Sequence, residues 1–209
     1  MRALPILALI VTSFSLSTTA AAASSKRIQQ SIDATDLVHV DFEISIAEID
    51  IEVYSGDVIE LDIAIEADRN WWIFGRNDID DVELEVDRDG EQLKLRLEDD
   101  DIEQEWVVRL PVHLAVSMDL GVGEVEFTDF ANDLNMELGV GSMQLNVADG
   151  MDFETIHLSA GVGDTSVRGF DNGSDNERSF VGADSWYHGD GEFNVEVEVG
   201  VGDARVRRR

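Results

Sequence analysis

A chain of 209 residues, 44% hydrophobic and with only two prolines, is long enough to form one domain with a real core. Its 45 acidic against 15 basic residues leave a formal net charge of −30, which argues against nucleic acid or an anionic membrane surface as the main partner and suits solvation in a salty medium. The absence of cysteine excludes disulfides and thiolate zinc sites.

The chain opens on MRALPILALIVTSFSLSTTAAAASS, with Arg2, an apolar run from Ala3 to Val11 that weakens through Leu16, and small residues around Ala21 to Ala23. This pattern predicts a secretory signal peptide over residues 1–23, and hence an exported protein, periplasmic or extracellular. The run is shorter than the ~20 apolar residues of a spanning helix and is broken by Thr12, Ser13 and Ser15. No later segment is apolar enough to span, so no transmembrane segment is expected in the mature chain. Residues 24–37 read as an N-terminal linker, residues 38–207 as one domain, and residues 208–209 as a basic tail.

From Val38 onward the periodicity is two. VHVDFEISIAEIDIEV alternates through Phe42, Ile44 and Ile46, and VIELDIAIEA through Leu61, Ile63 and Ile65, the pattern of strands with one wet face. RNWWIFGRN follows, and its run Trp71, Trp72, Ile73, Phe74 is too apolar to sit in water without a purpose: a cap, a partner site or an envelope contact. DDVELEVDRDGEQLKLRLEDDD then reads as an N-terminal hairpin around Asp89-Gly90, where the turn needs positive φ. EQEWVVRLPVHLAVSMDL continues extended, and the fold class is all-β.

The phrase GVG then occurs four times, with first glycines at Gly121, Gly139, Gly161 and Gly200 and second glycines at Gly123, Gly141, Gly163 and Gly202. Apolar residues stand five, three and one before each first glycine: Val116, Met118, Leu120; Leu134, Met136, Leu138; Ile156, Leu158, Ala160; Val195, Val197, Val199. The valine inside the phrase keeps that phase. After it the apolar set moves by one residue, to Val125 and Phe127, Met143 and Leu145, Thr165 and Val167, Ala204 and Val206. A slip of one turns later side chains to the opposite face of a straight strand, so one core can receive both halves only if the backbone bends, as glycine allows. Spacings of 18, 22 and 39 residues between the first glycines suggest one unit per ~20 residues, the last interval holding an excursion over 171–192. Ala47-Glu48-Ile49 looks like a degenerate first corner. Repeated corners predict a single-domain parallel β-solenoid, β-helix-like with ~20-residue rungs, and the alternation alone also allows an antiparallel β-sandwich.

LPVHLAVSMDLGVGEVEFTDFANDLNMELGVGSMQLNV, LSAGVGDTSVRGF and VEVEVGVGDARVR together resemble the family of bacterial envelope proteins known as putative adhesins, whose SGD- or GVGD-type corners are associated with a β-solenoid. They are also similar to the toast-rack domains of LiaF-type envelope-stress proteins. The resemblance runs from about Val38 to Arg207. It implies adhesion and carries no catalytic residues. The chain departs from it at Ala47-Glu48-Ile49, in its acidity, and in lacking the membrane segments of toast-rack proteins.

Catalytic patterns are weak. His39, His113, His157 and His188 match no zinc-ligand spacing, no G-x-S-x-G elbow occurs, and paired carboxylates are unremarkable among so many. No cofactor is expected, with calcium the one open alternative: Glu98 to Asp101, Asp171 to Glu177 and His188 to Glu192 offer hard oxygen ligands on loops, yet none fits an EF-hand or the calcium β-roll repeat. Within the excursion, Trp186 and Tyr187 either stack on a sugar ring or partner, or fold back as a cap on the core. The closing ARVRRR reads as a basic patch that frays in solvent or else contacts an anionic partner or the chain's own acidic body. These features together predict a non-catalytic exported envelope protein acting as a binding or structural module, its partner an envelope protein or polysaccharide. A calcium-dependent surface adhesion protein is the alternative, and a glycan-active enzyme on a β-helix the third.

Overall fold

The computed structural model describes residues 25–67, 79–97, 99, 102–170, 174–178 and 182–208. The chain runs through β1 (Ser25–Asp33), β2 (His39–Tyr54), β3 (Val58–Ala67), a 3-10 turn at Ile79–Asp81, β4 (Glu85–Asp89), β5 (Gln92–Leu97), β6 (Ile102–Pro111), β7 (Ala115–Phe130), β8 (Leu134–Val147), β9 (Thr155–Arg168), β10 (Ser174–Arg178), β11 (Ala183–His188) and β12 (Asn194–Arg208). Residues 25–33, read from sequence as linker, are thus a strand. Its alternation is weak because only Ile28 and Ile32 reach the core, and both only in part.

All twelve strands belong to one mixed sheet, in the order β1-β3-β6-β2-β7-β8-β12-β9-β11-β10, with β5 alongside β2 and β4 beyond it. The centre is parallel: β2, β7, β8, β12 and β9 are successive neighbours. On the other side of β2, β5 and then β6 pair with its first and second halves, also parallel. The flanks are antiparallel, with β4 on β5, β3 and β1 beyond β6, and β11 and β10 beyond β9. The sheet is therefore mixed where a parallel one was expected, and an antiparallel sandwich does not describe its centre. The Asp89-Gly90 turn does join an antiparallel pair, with Gly90 at φ 60°.

The last strand, β12, lies between β8 and β9, so neighbours in sequence are not always neighbours in space. Corner spacing cannot encode this order, because every GVG presents the same backbone profile to either side. Between β7 and β8 the link is only residues 131–133, although the two strands are parallel, with Val116 opposite Leu134. Parallel neighbours ordinarily need a dozen or more residues to cross over. Here the strand itself bends far enough to bring its end back beside its start.

That bend gives both halves of each long strand to one core. Met136 and Leu138 before the corner and Met143 and Leu145 after it are all buried in the same cluster, as are Val197 and Val199 with Ala204 and Val206. Burying each of the valine, leucine and methionine side chains among them contributes about 1.5–3 kcal/mol. A second slip follows in β7, where the register shifts between Phe127 and Phe130 and Asp129 takes φ 58°. Both rings consequently point inward, edge to face at 5.3 Å. The valine of each corner departs from the sequence reading: Val122, Val140, Val162 and Val201 point outward, since the bend begins at the first glycine and not after the second.

Corner glycines lie against the backbone of the next layer. A Cβ on Gly139 would sit 2.4 Å from the Gly121 carbonyl oxygen, and one on Gly141 1.7 Å from that of Gly123. Gly141 also has φ +146°. Gly202 and Gly163 repeat the contact, each with its Cβ position under 2 Å from the carbonyl of the neighbouring second glycine. At β2 the equivalent residue is Ala47, opposite Gly123. Ala47 does not take the positive φ of Gly123, Gly141, Gly163 and Gly202, and on its other side it pairs with Gln104 at the start of β6.

Gly141→Ala is expected to destabilise the protein by more than about 3 kcal/mol in urea unfolding, since the clash is with backbone that cannot move aside. Gly90→Ala, where nothing lies within 4 Å, should cost only about 1–2 kcal/mol for its φ. Equal effects at the two positions would refute the close-approach explanation.

Candidate functional site

The strand pair β9–β11 decides what the excursion does. In β11, ADSWYH, residues alternate: Ala183, Ser185 and Tyr187 are buried, while Asp184, Trp186 and His188 face out. Trp186 and Tyr187, grouped as one candidate by sequence, therefore lie on opposite faces of the strand.

Tyr187 closes the core. It is 4% exposed, its ring is tilted against Phe170 at 4.4 Å, and its hydroxyl donates to Asp152 Oδ1 at 2.6 Å. Arg208 lies over the Phe170 ring at 4.8 Å and places Nη1 3.6 Å from Asp152, with Nε donating to the Gly169 carbonyl at 3.1 Å. The basic terminus is thus strand up to Arg208 and pinned there, because the cap offers its guanidinium a ring, a carboxylate and a carbonyl. Burial, together with the hydrogen bond and charge of Asp152, pushes the Tyr187 hydroxyl up to about 12. Burial works against the Asp152 charge, but the Tyr187 hydroxyl, the backbone N–H groups of Phe153 and Asp190, and Arg208 together hold that carboxyl below the usual range.

Trp186 belongs to the outer surface. It is 40% exposed and stacks flat on His157 of β9, ring centres 3.5 Å apart and planes 10° from parallel. The stack follows from register, since Trp186 pairs with His157 and His157 with Glu196 across three adjacent strands. The His157 ring lies between two carboxylates, Nε2 3.9 Å from Asp184 and Nδ1 3.9 Å from Glu196. Its Nε2 is buried and has no hydrogen-bond partner among the described residues. The arrangement is a rigid aromatic platform in acidic surroundings.

Trp71, Trp72 and Phe74 lie outside the described residues, as do Glu98, Asp100, Asp101 and residues 171–173 of the calcium alternative. The segment from His188 to Glu192 is a turn pinned by backbone bonds from Gly189 to Glu154 and from Gly191 to Phe153. Among the described residues no group of three or more His, Asp or Glu side chains is placed to hold a metal ion, and no helix is long and apolar enough to cross a membrane. His113 Nε2 meets the Ala34 carbonyl at 3.1 Å, a structural contact. His157, Asp152, Phe170 and Arg208 were not singled out as site residues by the sequence reading. Strict alternation in ADSWYH was the available signal for separating Trp186 from Tyr187, whereas the pairing with His157 depends on register.

No family model and no curated protein matches this sequence. Among solved structures, the chain is similar to a "putative cell adhesion protein" from Clostridium sporogenes, with TM-score 0.52 and 12% identity over 89% of this chain and 100% of that one. This likeness shows the fold. A "putative adhesin" from Bacteroides fragilis aligns at 12% identity over 88% of this chain and 99% of that one, but its TM-score of 0.37 is too low to carry weight.

Tyr187 is expected to ionise late, near pH 12, in an absorbance titration of the folded protein. Its folded value is raised above the ordinary ~10, so its contribution to stability is complete below about pH 10 and is lost as pH rises through the folded value. Tyr187→Phe should remove that late step and cost about 1.5–3 kcal/mol of neutral-pH stability through the lost bond to the Asp152 carboxylate. A late step that survives in Tyr187→Phe would overturn the assignment.

Proposed function

We propose that this chain is a non-catalytic binding module of the bacterial cell envelope, exported to the periplasm or the cell exterior, and that Trp186 is part of its recognition surface. The observation that carries the reading is the Trp186–His157 stack, a large ring left 40% exposed on the outer face yet held flat against its neighbour. An aromatic already immobilised loses little conformational entropy on binding, which is why such residues dominate recognition sites. Support for export comes from the leader pattern over residues 1–23. Support for an adhesin-like role comes from the corner motifs, and the similarly folded clostridial protein carries the name of a cell adhesion protein.

The scaffold is read as a β-solenoid-like stack. Supporting this are the short link between β7 and β8, the 18-residue offset from Gly121 to Gly139, and the aligned glycine corners of four parallel strands. The antiparallel flanks and the inserted β12 are elaborations on that stack. Such a stack suits display, because its outer faces are long, flat and independent of the core.

Trp186→Ala should lower retention of the purified protein on isolated bacterial envelope material by about 30-fold or more, the effect of losing a hot-spot residue, while the melting temperature moves by no more than ~2 °C. Repeating the assay after protease digestion of the envelope material separates a polysaccharide from a protein partner. Unchanged retention in Trp186→Ala would sink the reading.

A further inference from the structure

Four of the nine large hydrophobic residues exposed on the described surface are the corner valines. They stand in register on adjacent parallel strands in the order Val122, Val140, Val201, Val162, each 45–50% exposed. Ile46 of β2, half-buried and opposite Val122, extends the row. At ~4.8 Å per strand the five β-branched side chains make a straight ridge of about 19 Å. Flanking glycines have no side chains, so the ridge stands clear of the backbone on both sides. Nothing in the bend requires an apolar residue at this outward position.

Charge completes the surface. On one side of the Ile46–Val122 end is a cleft of about 480 Å³ lined by Glu48, Glu66, Glu103, Glu105 and Glu124, with no basic residue in its lining. On the other is a groove of about 420 Å³ that includes Glu43 and Asp119. Glu43 is bound by Lys94 and Arg96, whereas Glu48, Glu66, Glu103, Glu124 and Asp119 form no ion pair among the described residues. Farther along, Glu137 and Glu198 continue the acidic margin in register with Asp119. A second copy of this chain would bring like charge against like charge here, and an anionic bilayer would be repelled in the same way.

We infer that the corner ridge docks a cationic amphipathic segment of a partner, its apolar side chains on the valine row and its basic side chains over the acid-lined depressions on either side. A helix of three to four turns, about 13 residues, matches the length of the ridge. Apolar contact gives the site its register, and the unpaired carboxylates give attraction that weakens with salt. This surface is separate from the Trp186 platform and does not depend on that reading.

The probe is a fluorescent 18-residue peptide of leucine and lysine arranged with all leucines on one helical face, compared with a scrambled peptide of identical composition. The full protein is expected to bind the amphipathic peptide at least tenfold more tightly than the scrambled one at physiological salt. Replacing Val122, Val140 and Val201 together by threonine keeps charge and β-branching at exposed positions, and should erase that preference without moving the melting temperature. The pair Glu48→Gln and Glu124→Gln should weaken binding several-fold at low salt and little at high salt. Equal binding of the two peptides, or a preference that survives the threonine variant, would overturn the inference. So would sedimentation showing that the wild type self-associates through the valines in place of binding peptide, which would make the ridge a contact between copies.

Discussion

The approach of backbone to backbone at the glycine corners is the constraint on which the rest of this structure depends. Successive parallel strands stack so closely there that a single carbon added at Gly123, Gly141, Gly163 or Gly202 would overlap a carbonyl oxygen of the neighbouring layer. Because each layer takes its position from the one beside it, the bend falls at the same place in β7, β8, β12 and β9. That common bend folds both halves of each strand onto a single core, and it leaves every corner valine outside. A longer side chain at one second glycine would therefore displace a layer and, through it, its neighbours.

Stacking of this kind ends in open edges, and the two ends of the parallel stack of corners, β2 and β9, are finished differently. At the β2 end the neighbour changes within the corner: β5 pairing stops at Ile44, β6 pairing starts at Ala47, and the acidic cleft lies beside that start of β6. Polar groups are satisfied beside it, where the Trp106 indole donates to Gln104 and Gln104 donates to the Leu97 carbonyl, all buried. At the β9 end the core is closed by Tyr187, Phe170 and Arg208 around Asp152. A repeat that would otherwise expose its last apolar layer needs such an ending.

Ion pairs form on the N-terminal strands and on β12, where Arg205 pairs with Asp203. Arg27 with Asp62, Lys94 and Arg96 with Glu43, and Arg109 with Glu60 all involve the N-terminal strands. Pairs as exposed as these add little to stability. Their greater effect is spatial, for they leave carboxylates such as Asp119, Glu137 and Glu198 as an in-register row across β7, β8 and β12. Acidity, apolar corners and one rigid aromatic stack thus all lie on the outside of the molecule, at positions that the core does not need.

Much of the fold was legible because β-structure writes its burial locally. Alternation in LNMELGVGSMQLNV marks the inward residues, and the slip of phase across GVG marks the bend, since both follow from the two-residue period of a strand. The same period in ADSWYH already separates Trp186 from Tyr187. Sequence alone determined, then, the strand class, the core side chains of the long strands and the acid-rich exterior. Tertiary structure decided the order of the strands, because identical corners fit one another in any order and only the packed molecule places β12 between β8 and β9. It also decided the strand role of residues 25–33, the pinning of Arg208, the stack of Trp186 on His157 and the joining of separate valines into one ridge. Each of these depends on register between strands distant in sequence, and register is fixed by the fit of whole layers, which no local pattern contains.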